Sequence, residues 1–241
     1  MTRWGLAIAV IVLSGRTAEA KPEGFPMAAG DEWVYRGTLT RNEHAPGCEG
    51  SECKMVVTRT ALRWTMKVTA VSAVDDLHTA LLAGYPGDLI WLQGEPRPGA
   101  WLIVRDNAGR YFLLNEASGE PLADLMNDPD KLRARLDDSH VILQWPFPDT
   151  KRFGCDPEVS DPAQPSRNCW RVTGSSRADT SRIRGALAAA ATAYDLEYRT
   201  TPEDLAVRFV PQLGFTRYAF HHHGSAYDLD LRLVQVTLQR P

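Results

Sequence analysis

Large apolar side chains alternate with polar ones, at a period of two residues, along several stretches of the chain. Over residues 64–69, Trp64, Met66 and Val68 alternate with polar neighbours. Successive side chains of a strand point to opposite faces, so this period is typical of antiparallel strands with one buried face and one wet face. The same alternation recurs over residues 33–36, 194–199 and 205–209. The pattern therefore predicts an all-β fold built on an antiparallel sheet.

Turn-forming residues divide the rest of the chain into further strands and a minor helical part. Asp128 followed by Pro129 is a helix start, which predicts one short helix from Pro129 to about Asp137. The alanine-rich stretch Arg184–Ala193 is compatible with a helix or with a loop. Five more strands are predicted between Gly, Pro, Asp and Asn turns: Leu77–Ala83, Leu89–Gln93, Ala100–Arg105, Arg110–Asn115 and Val141–Trp145.

The first twenty residues have the layout of a secretory signal peptide. Arg3 precedes an apolar run of about ten residues, Trp4–Leu13, and Ala18-Glu19-Ala20 is a small-x-small cleavage site. We therefore expect residues 1–20 to be removed, leaving residues 21–241 as a single antiparallel β domain in the periplasm or outside the cell. No later stretch approaches the ~18 apolar residues of a membrane span, so none is expected.

The charge balance argues against a nucleic-acid partner. The whole chain carries 27 basic and 30 acidic residues, and removing Arg3, Arg16 and Glu19 leaves 25 and 29. The sequence also contains no basic run of the kind that neutralises phosphates.

Four cysteines in an exported chain predict disulfides. Three pairings are possible, and we favour the local one, Cys48–Cys53 with Cys155–Cys169, because each pair brackets a turn-rich loop. A zinc site built from all four thiolates is the alternative, but its spacing and the oxidising compartment favour it less.

Two motifs near the ends of the mature chain resemble a pattern of uncharacterised exported bacterial β-rich proteins. The first is Gly-x-x-Trp-x-Tyr, which here is Gly30, Trp33 and Tyr35. The second is a Pro-x-x-Gly turn with a closing aromatic strand. It comprises Pro211, Gly214, Phe215 and Tyr218. The resemblance implies an antiparallel sheet that is curved or partly closed into a barrel or clam, and it implies no catalytic residue.

Three consecutive histidines, His221–His223, form the sharpest candidate site. If Gly224-Ser225 is a hairpin turn, His221 faces Asp228 across the strands, and His221 and His223 share one face. Two imidazoles at i and i+2 with a carboxylate could hold a zinc ion through His221, His223 and Asp228. The alternative is a polar strand face in which histidine and aspartate simply pair.

Other chemistry-bearing motifs are few. The sequence lacks the Gly-x-Ser-x-Gly, phosphate-loop and His-Glu-x-x-His patterns. Trp91 and Trp101 flank the Gly94–Gly99 turn, where they could stack on a sugar or another planar ligand, although such residues are more often core.

Three functions therefore remain open. The first, which we favour, is a non-catalytic exported β domain that binds a small ligand or an envelope partner and needs no cofactor. The second is a metal-dependent enzyme using His221 and His223, with zinc as the possible cofactor. The third is a structural envelope component. An apolar cavity inside the sheet would favour the first function, and a filled interior the third.

Overall fold

In the part of the chain that the computed structural model describes, twelve strands form one antiparallel sheet, which confirms the predicted fold class. The structure describes residues 24–44, 54–90, 96–116, 121–156, 167–186, 191–223 and 227–239. The strands are β1 (Glu32–His44), β2 (Met55–Val74), β3 (Leu77–Ala83), β4 (Ala100–Arg105), β5 (Arg110–Asn115), β6 (Val141–Gln144), β7 (Arg152–Phe153), β8 (Trp170–Arg177), β9 (Thr192–Arg199), β10 (Glu203–Val210), β11 (Gly214–His222) and β12 (Asp228–Thr237). The helices are α1 (Leu122–Leu125) and α2 (Pro129–Arg135), with 3₁₀ turns at Pro86–Leu89 and Asp138–His140.

The strands follow one another around the sheet as in an up-and-down barrel, but the opening does not lie at the chain ends. The first strand, β1, pairs with the last, β12, and the two free edges are the consecutive strands β6 and β7. These two edges lie close together. A Cβ atom added at Gly154, just after β7, would be only 2.5 Å from the carbonyl oxygen of Val141 in β6. The sheet is therefore nearly closed, with its seam between β6 and β7.

Large side chains fill the interior of the curved sheet. Trp33 and Tyr35 of β1 have no exposed surface, and Phe209, Phe215 and Tyr218 from β10 and β11 are buried with them. The buried polar ends find partners: the Trp33 indole donates to the carbonyl of Leu213 at 2.7 Å, and the Tyr35 hydroxyl to that of Phe215 at 3.0 Å. The described core is thus packed by aromatic residues rather than hollow.

Two connecting segments add to this packing. Near the N-terminus, Phe25 stacks on Trp33 with ring centroids 5.3 Å apart, and its backbone N–H donates to the Tyr111 hydroxyl. Between β3 and β4, Tyr85 is buried edge-on against Tyr218, and the carbonyl of the buried Leu89 accepts from the Tyr227 hydroxyl. Burial raises the pKa of Tyr85 and of Tyr218, so both phenols are neutral in the folded protein.

Three secondary-structure predictions need correction or completion. The strand predicted at Leu89–Gln93 is wrong at its start, because Pro86–Leu89 is a 3₁₀ turn that proline at its first position favours; residues 91–93 lie outside the described residues. The helix predicted from Pro129 ends at Arg135, and α1 was missed because its four residues are too short to show a period. In the Arg184–Ala193 stretch, Arg184 bridges to Gln235 of β12, and β9 has already begun at Thr192.

The structure joins Cys155 to Cys169 in a disulfide, as the local pairing predicts. A zinc site that uses all four cysteines is therefore excluded, because two of the thiolates are already bonded to each other. Cys48 and Cys53 lie outside the described residues, so their pairing stays a prediction. In the described part of the chain, no helix is both long and apolar enough to cross a membrane.

Candidate functional site

The histidine hairpin has the register that the sequence predicts. His221 faces Asp228, Phe220 faces Leu229 and Tyr218 faces Leu231. The apolar members of these pairs are buried, whereas His221 is exposed. The predicted turn at Gly224-Ser225 lies outside the described residues.

The two exposed histidines, His221 and His223, contact different carboxylates. His221 Nδ1 contacts Asp228 Oδ1, and His223 Nε2 lies 3.1 Å from Asp204 Oδ2. The two rings meet edge-on, with centroids 4.9 Å apart. Asp204 was not among the residues predicted from the sequence; it lies near the start of β10, directly opposite His221.

His221 therefore belongs to a row of alternating acidic and basic side chains across four strands. Reading from β12 to β9, the residues directly opposite one another are Asp228, His221, Asp204 and Arg199. Among the residues that the structure describes, no three His, Cys, Asp or Glu side chains are grouped so that they could hold a metal ion. Contacts with the Asp228 and Asp204 carboxylates account for His221 and His223, and a zinc site at His221, His223 and Asp228 stays a prediction.

Replacing either histidine by alanine should change stability little. We expect His221→Ala and His223→Ala each to lower the free energy of unfolding by less than about 1 kcal/mol, because exposed ion pairs contribute little. Chemical denaturation of the mature protein measures this, and a chelator should leave the melting temperature of the wild type unchanged. A chelator effect that disappears in the double variant would instead establish a metal site.

The Trp101 indole is engaged by a neighbouring loop. Its Nε1 donates to Asp88 Oδ1 at 2.7 Å, its ring packs on Tyr85 with centroids 5.3 Å apart, and the Gly99 N–H donates to Asp88 Oδ2. Burial raises the pKa of the Asp88 carboxyl, and the two hydrogen bonds from Trp101 and Gly99 only partly offset this rise. Trp101 thus helps to hold the β3–β4 connection in place through its contacts with Asp88 and Tyr85. Trp91 lies outside the described residues, and ligand binding by the two tryptophans stays a prediction.

A cleft of about 440 Å³ opens at the seam of the sheet. One wall is the β6–β7 connection, residues 145–151, and the other is formed by Val172–Ser175 of β8 with Tyr194 of β9. Three half-buried rings meet there at steep angles: Phe147 lies 5.0 Å from Tyr194 and 5.2 Å from Trp145, and Trp145 lies 5.5 Å from Tyr194. We call this site the aromatic cleft.

Several polar groups that line the aromatic cleft have no hydrogen-bond or ion-pair partner for their side chains among the described residues. They are the Asp149 carboxylate, the Lys151 ammonium and the hydroxyls of Ser175 and Tyr194. On the sheet face nearby, by contrast, Asp195 is paired with Arg208 at 2.8 Å and Glu197 with Arg171 at 2.8 Å. The cleft thus combines apolar ring surface with donors and acceptors of both charges, as small-molecule sites do.

A second cleft, of about 500 Å³, lies beside the N-terminal segment and borders β2, β3 and β4. Its one aromatic residue is Phe25, whose ring is already buried against Trp33. His78 and Arg105 lie opposite each other on its wall. This cleft offers no exposed ring on which a ligand could stack.

Sequence reasoning did not identify the aromatic cleft. From the sequence, Trp145 was predicted only as the last residue of the strand Val141–Trp145. Two aromatic residues separated by proline, directly after a strand, are a signal that could have drawn attention to it. Their partner Tyr194 comes from β9, and no sequence pattern places it beside them.

Comparison with known proteins gives little guidance. No family model matches the chain, and no curated protein does. Two solved structures show similarity: a candidate exported protein with a YmcC-like fold from Bacteroides fragilis and a candidate lipoprotein from Parabacteroides distasonis. The first is 11% identical with a TM-score of 0.38, and the second is 12% identical with a TM-score of 0.34. Each similarity covers 90% of this chain and 99% of the other, and both TM-scores are too low to bear on function.

Proposed function

We propose that the protein is an exported, non-catalytic β protein that binds a small ligand or an envelope partner through the aromatic cleft. One observation carries the proposal: Trp145, Phe147 and Tyr194 converge on an open cleft. The cleft also presents four polar side chains, those of Asp149, Lys151, Ser175 and Tyr194, that have no hydrogen-bond or ion-pair partner within the described residues. Rings held at steep angles offer several apolar surfaces, and the polar rim can orient what they hold.

The composition of the cleft favours a ring-shaped ligand with polar edges, such as a sugar or another planar molecule. The rings supply stacking surface, and the hydroxyls of Ser175 and Tyr194 can donate or accept at the ligand edge. Gly174 leaves room in the wall, since a methyl group there would meet nothing closer than an Asp195 carboxylate oxygen at 3.6 Å.

Export is supported by two independent features. The first is the signal-like composition of residues 1–20. The second is the Cys155–Cys169 disulfide, a bond that forms and persists in oxidising compartments.

A structural envelope component is the second candidate, and the filled interior favours it. Trp33, Tyr35 and their neighbours occupy the space in which an internal ligand would lie. The two candidates differ in one respect: only the binding protein needs the aromatic cleft to be accessible.

A thermal-shift screen of the mature protein tests the proposal. We expect some members of a library of sugars and planar aromatic compounds to raise the melting temperature of the wild type, because a ligand at about 100 times its Kd stabilises by about 2.7 kcal/mol. Tyr194→Ala should abolish that shift. Tyr198→Ala should retain it, because Tyr198 lies on the same strand but stacks on Trp170, outside the cleft.

Two results would count against the binding function. Compounds that stabilise Tyr194→Ala as much as the wild type would place binding elsewhere. A library in which no compound shifts the wild type would favour the structural component.

A further inference from the structure

Five arginines lie in a row across the outer face of the sheet. From β2 to β10, Arg63 faces Arg36, Arg36 faces Arg232, Arg232 faces Arg217 and Arg217 faces Arg208. Neighbouring strands are about 4.8 Å apart, so the row extends over roughly 19 Å. Arg36 and Arg63 come from the N-terminal part of the sequence and the other three from its C-terminal part, and the pairing of β1 with β12 joins the two groups. We call them the arginine row.

Folding does not explain this arrangement. Like charges directly opposite each other on neighbouring strands are destabilising, by up to about 1 kcal/mol for each pair. The row of Asp228, His221, Asp204 and Arg199 on the same face shows the usual solution, because acidic and basic side chains alternate along it. A row that breaks this rule over five strands points to a role other than stability.

Only one end of the row is neutralised. Arg217 donates to both carboxylate oxygens of Asp230, at 3.0 and 3.2 Å, and Arg208 pairs with Asp195. Arg232 has only a distant contact with Asp230, at 3.9 Å. Arg36 and Arg63 are exposed and have no ion-pair partner among the described residues. The β12–β1–β2 end therefore keeps its positive charge, and the exposed Arg59 of β2 adds to it.

The shape of this surface selects among anionic partners. The row runs around the convex side of a nearly closed sheet, so a flat bilayer would reach only part of it. Beside the row, from β2 to β11, lie Ala61, Thr38, Asp230 and Ala219. None of them is aromatic, whereas single-stranded nucleic acid would need aromatic rings for base stacking. A thin, flexible chain with regularly spaced carboxylates fits both features. Arginine forks bind carboxylates with two parallel hydrogen bonds.

We propose that the arginine row binds a linear acidic polysaccharide, laid across the strands on the outer face of the sheet. Arg36, Arg63 and Arg232 provide the unneutralised charges, and Arg217 and Arg208 continue the track. This surface shares no residue with the aromatic cleft, so the proposal is independent of ligand binding there.

Polyuronate oligomers from alginate are the probe, titrated into the mature protein at low salt. We expect saturable binding that weakens as salt is added. The variant Arg36→Gln with Arg63→Gln should lose about tenfold or more in affinity, since hydrogen bonds to charged groups are the stronger kind. The matched control, Arg97→Gln with Arg177→Gln, removes the same charge from exposed positions outside the row and should bind like the wild type.

A stability measurement on the same variants separates binding from scaffolding. Arg36→Gln with Arg63→Gln should be at least as stable as the wild type, because it removes facing like charges. A clear loss of stability in this variant would mean that the row serves the fold. Equal oligomer affinity in the two double variants, or no binding by the wild type, would overturn the proposal. So would tighter binding of anionic vesicles or of DNA oligomers through the same two arginines.

Discussion

Gly37→Ala should cost about 3 kcal/mol or more of folding free energy, because it inserts a methyl group into the backbone of the adjacent strand. Gly37 lies in β1 opposite Leu231 of β12. A Cβ atom at this position would lie 1.9 Å from the carbonyl oxygen of Asp230 and 2.9 Å from the Cα of Leu231. Both atoms are backbone, so neither can turn aside as a flexible side chain would. The pairing of the first and last strands would have to shift.

Gly174→Ala is the matched control for that substitution. Gly174 also lies in a strand, but a methyl group there would have only ordinary contact, at 3.6 Å. We expect a change within about 0.5 kcal/mol, as for most surface substitutions. Denaturant unfolding of the two variants gives the comparison. Equal stabilities would show that β1 and β12 do not pack in this register.

Trp33→Ala should be the other large loss, of about 3–5 kcal/mol, because it opens a cavity in the packed interior. The side chain has no exposed surface, stacks on Phe25 and donates its indole hydrogen to the Leu213 carbonyl. Trp33→Phe keeps a ring at this position but leaves that carbonyl without its donor, so we expect a smaller loss of about 1–3 kcal/mol.

Calorimetric or denaturant unfolding of the two Trp33 variants separates packing from hydrogen bonding. If Trp33→Ala cost no more than Trp33→Phe, the region around Trp33 would be loose enough to collapse, and the account of a filled interior would be wrong.

The strands and the histidine hairpin were predictable because short stretches of sequence are enough to indicate them. Alternation over residues 64–69 marks a buried face without reference to any other strand, and the facing of His221 and Asp228 follows from one short turn. The Leu89–Gln93 prediction failed at its start because an apolar pair after proline and glycine is ambiguous between a strand and a turn. Leu89 is buried in a 3₁₀ turn of the β3–β4 connection.

The arginine row and the aromatic cleft depend on which strands become neighbours in the sheet. The periodicity of the sequence does not indicate which strands pair. Asp204 meets His221 because β10 pairs with β11, and Arg36 meets both Arg63 and Arg232 because β1 pairs with β2 and with β12. The absence of a basic run in the sequence was a correct observation, yet the fold assembles a row of arginines from separate strands. The aromatic cleft likewise needs the seam to bring residues 145–151 beside β8 and β9.

Binding of a ligand in the aromatic cleft can be detected by following the tryptophan indole N–H signals of ¹⁵N-labelled mature protein by NMR. The Trp145 signal is identified with Trp145→Phe, and the probe is the compound that gives the largest thermal shift. We expect a saturable shift of the Trp145 signal. The signals of Trp33 and Trp64 should stay in place, because their indoles donate to the carbonyls of Leu213 and Gly84 in the interior. A saturable shift of the Trp101 signal while that of Trp145 stays in place would contradict binding in the aromatic cleft.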